Sequence, residues 1–232
     1  MQLALALLLT WVACLSSSHA ASAEYAIRWS PSSGGPQDVS EVLKGLKLKK
    51  GDASKVRIQY YDVRLPAGAP SDMPAIARER TQGSKVETTW KYRGASPFDR
   101  GTEHTWTCPL QGKAQRKDEV DISILAAGQT RRAHSRSCSV KGSYSDTLPP
   151  TLQGAPVGCS GRMDRQESAD GRYKIERWRL SNGQQLLEVS WGGEDTESDL
   201  ADFRSRVVQP LVDAGAQPVD RSKTELGSQC QP

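Results

Sequence analysis

Between Arg116 and Gly142 the chain sets two carboxylates, Glu119 and Asp121, two residues apart and follows them, past a turn, with Arg131, Arg132, His134, Arg136 and Lys141. Opposite charges at this density can pair across a hairpin, Glu119 and Asp121 against Arg132 or Arg136, or they can line a charged channel able to take an anionic ligand. Covalent chemistry has less support. His104 and His134 stand in no nucleophile–base arrangement, and the sequence has no elbow motif for Ser-His-Asp hydrolysis. No two cysteines have the C-x-x-C spacing of a zinc site.

The elements that must position these charges are strands. Val120, Ile122 and Ile124 alternate with Glu119, Asp121 and Ser123, the two-residue period of a half-buried strand. The same division recurs along the chain. Glu24, Ala26 and Arg28 oppose Tyr25, Ile27 and Trp29; Arg57, Gln59 and Tyr61 oppose Val56, Ile58 and Tyr60; Arg78 and Arg80 share one face of Ile76–Arg80. Lys85, Glu87, Thr89 and Lys91 oppose Val86, Thr88, Trp90 and Tyr92. Tyr173–Leu180 and Gln185–Trp191 flank Asn182-Gly183, the dipeptide of a tight hairpin turn. Helices are expected over Asp38–Leu46, with Asp38 or Ser40 as N-cap, and over Thr196–Ala214, which Pro210 should kink or divide. Ser143–Gly161, rich in Pro and Gly, reads as a connection. The fold class is α+β, an antiparallel β-barrel or tunnel of about 7–8 strands with about two or three packed helices. Closure would turn one set of alternating residues inward and the other outward.

Composition bounds the rest. The 232 residues carry 31 Lys and Arg against 27 Asp and Glu, a net charge of +4. That allows an anionic ligand without requiring one, and no basic run with interleaved aromatics points to nucleic acid. Residues 1–20, apolar and ending in Ser18-His19-Ala20, read as a cleaved signal peptide, leaving 21–232 as one secreted or periplasmic domain. No other stretch could span a bilayer as a helix. Beyond the leader's Cys14, the cysteines are Cys108, Cys138, Cys159 and Cys230, an even set that implies two disulfides in one of three pairings.

Several short motifs then fall in a suggestive order: Tyr60-Tyr61-Asp62, the Arg-x-Arg of Arg78 and Arg80, a strand ending at Lys91-Tyr92-Arg93, Glu119-Val120-Asp121, Cys138-Ser139-Val140-Lys141-Gly142, Glu176-Arg177-Trp178, Leu187-Glu188-Val189-Ser190 and Ser222-Lys223-Thr224. Together they resemble the CYTH superfamily of triphosphate tunnel metalloenzymes, and most closely a bacterial CYTH-like group without an assigned function. The resemblance implies a tunnel in which Arg28, Arg78, Arg80, Lys91, Arg93, Lys141 and Lys223 hold a polyphosphate or other phosphorylated anion. It implies that Glu24, Glu119, Asp121, Glu176 and Glu188 hold Mg2+ or Mn2+, which prefer carboxylate oxygens. Two departures bear on turnover. The family's first-strand Glu-x-Glu-x-Lys is here Glu24, Ala26 and Arg28, and the closing strand offers Glu188 and Ser190 in place of paired carboxylates. Binding of a polyphosphate-type anion is therefore placed ahead of metal-dependent phosphohydrolase activity, and no catalytic residue is assigned. A non-catalytic structural or partner-binding envelope protein on the same scaffold is the alternative.

Overall fold

The computed structural model describes residues 21–66, 75–97 and 106–230. The leader, with Cys14 and His19, and His104 lie outside the described residues. Nine strands close into a barrel: β1 (Ser22–Trp29), β2 (Lys50–Val63), β3 (Ala75–Gln82), β4 (Lys85–Gly94), β5 (Gln115–Ile124), β6 (Thr130–Lys141), β7 (Gln153–Ser168), β8 (Tyr173–Leu180) and β9 (Gln185–Glu194). Around the barrel the order is β1-β5-β6-β4-β3-β2-β7-β8-β9, and β9 pairs back onto β1. Every pairing is antiparallel except β1 with β5, which run parallel with Glu24 beside Asp121.

The strand that sequence reasoning missed is β7. Ser143–Gly161 is not a plain connection: it holds helix α2 (Tyr144–Thr147) and the first half of β7. Its Gly and Pro residues sit where the β2–β7 register slips, between Ile58 and Tyr60 and again between Tyr61 and Val63. Bulged strands tolerate such residues, so signals that read as breakers belong to a distorted strand.

The alternating faces put two apolar clusters outside the barrel, and a third shares the interior with the ionic side chains. On the outside of β1, β5, β8 and β9, residues including Tyr25, Ile27, Ile122, Ile175, Val189 and Trp191 pack against helix α1 (Val39–Gly45) and the C-terminal helical run. That run is α3 (Glu197–Phe203), a π-helical turn (Arg204–Val208) and α4 (Gln209–Asp213). Asp38 caps α1 by accepting from the Glu41 N–H at 3.0 Å, and Thr196 caps α3 from the Asp199 N–H at 3.1 Å. The wide turn falls just before Pro210, which has no N–H to give a regular helix, so the run is divided where proline requires it while Phe203, Val207 and Leu211 stay buried. A second cluster covers the outside of β3, β4 and β6, where Trp90, Tyr92 and Val140 meet Tyr144 and Leu148.

The third cluster is inside the barrel. Val56, Ile58, Tyr60, Met163, Trp178 and Leu186 fill one end of it, with Val219 and Leu226 packed against them. A last helix, α5 (Lys223–Ser228), closes this end. Its approach runs past β1, where Pro218 bridges Trp29 and the Val219 N–H donates to the Arg28 carbonyl at 2.8 Å. Gly227 lies directly against the Tyr60 ring and Gly158 against the Gly227 carbonyl, contacts with no room for a Cβ at either position. The cysteines pair as Cys108–Cys138 and Cys159–Cys230, and the second bridge ties α5 to β7. Among the described residues no helix is long and apolar enough to cross a membrane.

Candidate functional site

Ionic side chains occupy the other end of the interior. They line a chamber of about 410 Å³ that opens past the exposed Arg116, Lys117 and Lys174, within the ~300–1,000 Å³ usual for ligand sites. The lining carries ten cationic side chains and five carboxylates, a local charge of +5. A larger cleft of about 960 Å³ lies beside Ser30–Ser32, Trp178, Leu186 and Pro218–Arg221. Its lining is mostly apolar and shares only Lys223 with the charged chamber, so convergent charge favours the smaller cavity as the place for chemistry.

β1 and β5 supply one carboxylate corner. Glu24, Glu119 and Asp121 each offer an oxygen, all within 4.8 Å of one another, and Glu119 and Asp121 are buried. The Lys91 ammonium, from β4, stands 3.1 Å from Asp121 and 3.6 Å from Glu119; Arg93 pairs with Asp121 and Lys117 with Glu119. Burial pushes the Asp121 carboxyl up, but Lys91 and Arg93 outweigh it and hold the group at about 2. Burial opposes ionisation of Glu24 as well, and the Lys223 and Lys91 charges bring it below the usual range. Lys91 itself is held low, first by burial, then by Arg93 against the pull of Asp121. Three converging carboxylates form an oxygen donor set of the kind hard divalent cations take, so this corner could hold a metal ion.

Glu176 and Glu188, expected as further metal ligands, sit elsewhere and in different company. Both are buried, on β8 and β9. Lys223 reaches in from α5 to lie 2.6 Å from Glu176 and 2.5 Å from Glu188; Arg165 holds Glu176 at 2.6 Å and Arg28 pairs with Glu188. The Trp178 N–H also donates to Glu176 at 3.0 Å. Burial works against the Glu176 charge, yet Lys223 and Arg165 depress its pKa strongly. Through Lys223 these two carboxylates tie α5 to β8 and β9.

Arg78 and Arg80, from β3, complete the lining. Neither makes a hydrogen bond or ion pair among the described residues, and the Nε of each is buried without a partner. Burial and the neighbouring Arg78 push the Arg80 guanidinium down to about 10, with Glu176 offsetting only part of that. Two half-buried guanidinium groups side by side, each with an Nε out of reach of water and of a protein acceptor, are suited to an anion.

The structure thus brings Arg28, Arg78, Arg80, Lys91, Arg93 and Lys223 to one cavity with Glu24, Glu119, Asp121 and Glu176. Glu188 lies directly behind, paired to two of them. Lys141 does not join: it is exposed at the end of β6, opposite Glu87 in register. Of the two readings open for Glu119 and Asp121, pairing across the hairpin with Arg132 or Arg136 is not the one observed: both make cross-barrel contacts, while Arg136 meets Asp118 and Arg132 meets Asp195 and Glu197. Arg165, Lys117 and Lys174 line the chamber without having been singled out. Lys117 shares the face of Glu119 and Asp121 at the same two-residue step, a signal that was available; Arg165 lies in the later half of β7, which the sequence reading left unassigned.

No protein-family model matches the chain, and no curated protein sequence matches it. Among solved structures it is similar to the PH1012 protein of Pyrococcus horikoshii OT3, at 12% identity over 88% of this chain and 98% of that one, with a TM-score of 0.45. It is also similar to an adenylyl cyclase candidate from Hippeastrum described as having a dominant triphosphatase activity, at 12% identity over 89% and 96% of the two chains with a TM-score of 0.47. A candidate adenylate cyclase from Vibrio parahaemolyticus gives 12% identity over 90% and 98%, with a TM-score of 0.42.

Proposed function

We propose that this chain is an exported CYTH-like tunnel protein whose chamber binds a linear polyphosphate or another multiply phosphorylated anion. The observation that carries the reading is the pair Arg78 and Arg80, half-buried in a lining of charge +5, with the Nε of each buried and no ion-pair partner among the described residues. An anion with several charged oxygens in a row supplies what a single carboxylate cannot, because planar guanidinium groups take phosphate oxygens in bidentate fashion. Arg78, Arg80 and Arg165 hold one stretch of the ligand, and Lys91 and Arg93 hold the stretch beside Glu24, Glu119 and Asp121.

Those three carboxylates would hold Mg2+ or Mn2+, which in a phosphoanhydride site polarises a phosphoryl oxygen. Lys91, Arg93 and Lys117 neutralise the same carboxylates in the ligand-free protein, so anion and metal enter together, the anion drawing the cations off the carboxylates. Binding ranks ahead of turnover. Ala26 faces Ser190 across the β1–β9 pair, a position with no carboxylate from either strand to place a second ion or a water.

Titration calorimetry with tripolyphosphate, with and without Mg2+ or Mn2+, and a phosphate-release assay separate the cases. The expected result is tight binding, strengthened by metal in wild type and not in Glu119→Gln, with slow release or none. Rapid metal-dependent release would make the protein an enzyme. Absence of binding would leave the barrel as a scaffold.

A further inference from the structure

The outside of the barrel carries a second concentration of charge that the chamber does not use. β2, β7 and β8 are adjacent, and their register sets Arg57 opposite Arg162 and Arg162 opposite Arg179. In the neighbouring row Lys55 faces Asp164, which faces Arg177. These side chains point away from the interior, since Val56, Ile58, Met163 and Trp178 between them are the ones buried inside. Arg57, Arg162 and Arg179 are exposed.

Compensation within the protein is slight. Asp164 pairs with Arg179, and Arg177 donates to the Gln185 side chain at 2.8 Å. Lys55, Arg57 and Arg162 make no hydrogen bond or ion pair among the described residues. Like charges placed directly opposite one another on neighbouring strands destabilise a sheet, and here three guanidinium groups stand in one cross-strand row. The alternation that builds the fold needs only polar residues at these positions, so the cationic row is surplus to it.

We propose that this face docks on the headgroup layer of an anionic phospholipid bilayer. The row spans about 10 Å across three strands spaced ~4.8 Å apart, on the convex outside of a barrel. The outward residues here, Lys55, Arg57, Arg162, Asp164, Arg177 and Arg179, include no aromatic ring on which bases could stack and no apolar side chain to insert. What remains is electrostatic attraction, and lipids that diffuse laterally can gather a phosphate under each guanidinium without a preformed groove. Nothing in this inference depends on the chamber being a polyphosphate site.

Cosedimentation tests it, using vesicles of mixed phosphatidylcholine and phosphatidylglycerol against pure phosphatidylcholine, at low and near-physiological salt. The wild type should bind the mixed vesicles only, more weakly as salt rises. Arg57→Glu/Arg162→Glu should weaken binding by at least about 25-fold, since each basic residue near such a surface contributes roughly fivefold. Arg57→Lys/Arg162→Lys should keep most of it. Circular dichroism and thermal unfolding report whether the variants fold. Equal binding to pure phosphatidylcholine, full binding by the folded charge-reversal variant, or tighter binding to a DNA oligonucleotide lost in the same variant would each overturn the proposal.

Discussion

Arg80 and Asp121 stand at opposite electrical extremes of the chamber, one a half-buried cation short of partners and the other a carboxylate with more than it needs. Asp121 is held at about 2 against an ordinary 3.8, so its ionised form stabilises the fold above about pH 4, and that contribution is lost as pH falls through about 2. Urea unfolding across this range should show the loss, on the order of 2 kcal/mol, and Asp121→Asn should flatten it. Arg80 has the reverse sign. Its depressed pKa means that the ionised guanidinium is a cost to the ligand-free fold below about pH 10. Arg80→Met should therefore unfold at or above the wild-type temperature while tripolyphosphate affinity drops about 10- to 100-fold, the loss of a charged hydrogen-bond partner. Calorimetry on both variants reads the two effects separately. Most of these residues were visible in the sequence, because the two-residue period marks which side chains share a face. Their distances were not, because Lys91 and Asp121 meet across strands that never adjoin.

At the scale of elements, α5 and β7 are where the chain hides its logic. β7 carries Arg165 into the chamber from its regularly paired half, while its first half, where Gly and Pro residues sit at register slips, loses the alternation by which strands are recognised. For α5 a signal existed. Ser222 and Glu225 form a capping box, and Ser-x-x-Glu is a helix-start pattern, yet a helix of six residues shows no periodicity to confirm it. Lys223 is the hinge of its energetics, bridging two carboxylates that are almost wholly buried. Lys223→Met leaves Glu176 with Arg165 and Glu188 with Arg28, and should cost about 3 kcal/mol, the low end for breaking a buried pair. Chemical denaturation measures it. Cys230→Ser should cost up to about 4 kcal/mol, since the bridge to Cys159 closes a loop of 71 residues.

For the whole molecule, the division of the interior matters more than the strand count. Hydrocarbon fills one end and charge the other, while the outer clusters of Tyr25, Ile27 and Trp191 on one side and Trp90 and Tyr92 on the other supply the cohesion that an ionic interior cannot. The barrel class was readable from recurring alternation. Its closure through a parallel β1–β5 pair was not, because parallel partners lie far apart in sequence and leave no turn to read. A ligand that neutralises the chamber should stabilise the whole fold: tripolyphosphate at about 100 times its Kd is expected to add about 2.7 kcal/mol, seen as a concentration-dependent rise in melting temperature. A melting temperature indifferent to tripolyphosphate would count against the chamber as its site.

The segment from Pro218 to Cys230 lies across the apolar end of the barrel, bridged to β1 and disulfide-bonded to β7, so the proposed ligand would approach the chamber from the end that bears Arg116, Lys117 and Lys174. On that reading a long phosphorylated chain would be gripped by its tip, with the remainder trailing in solvent.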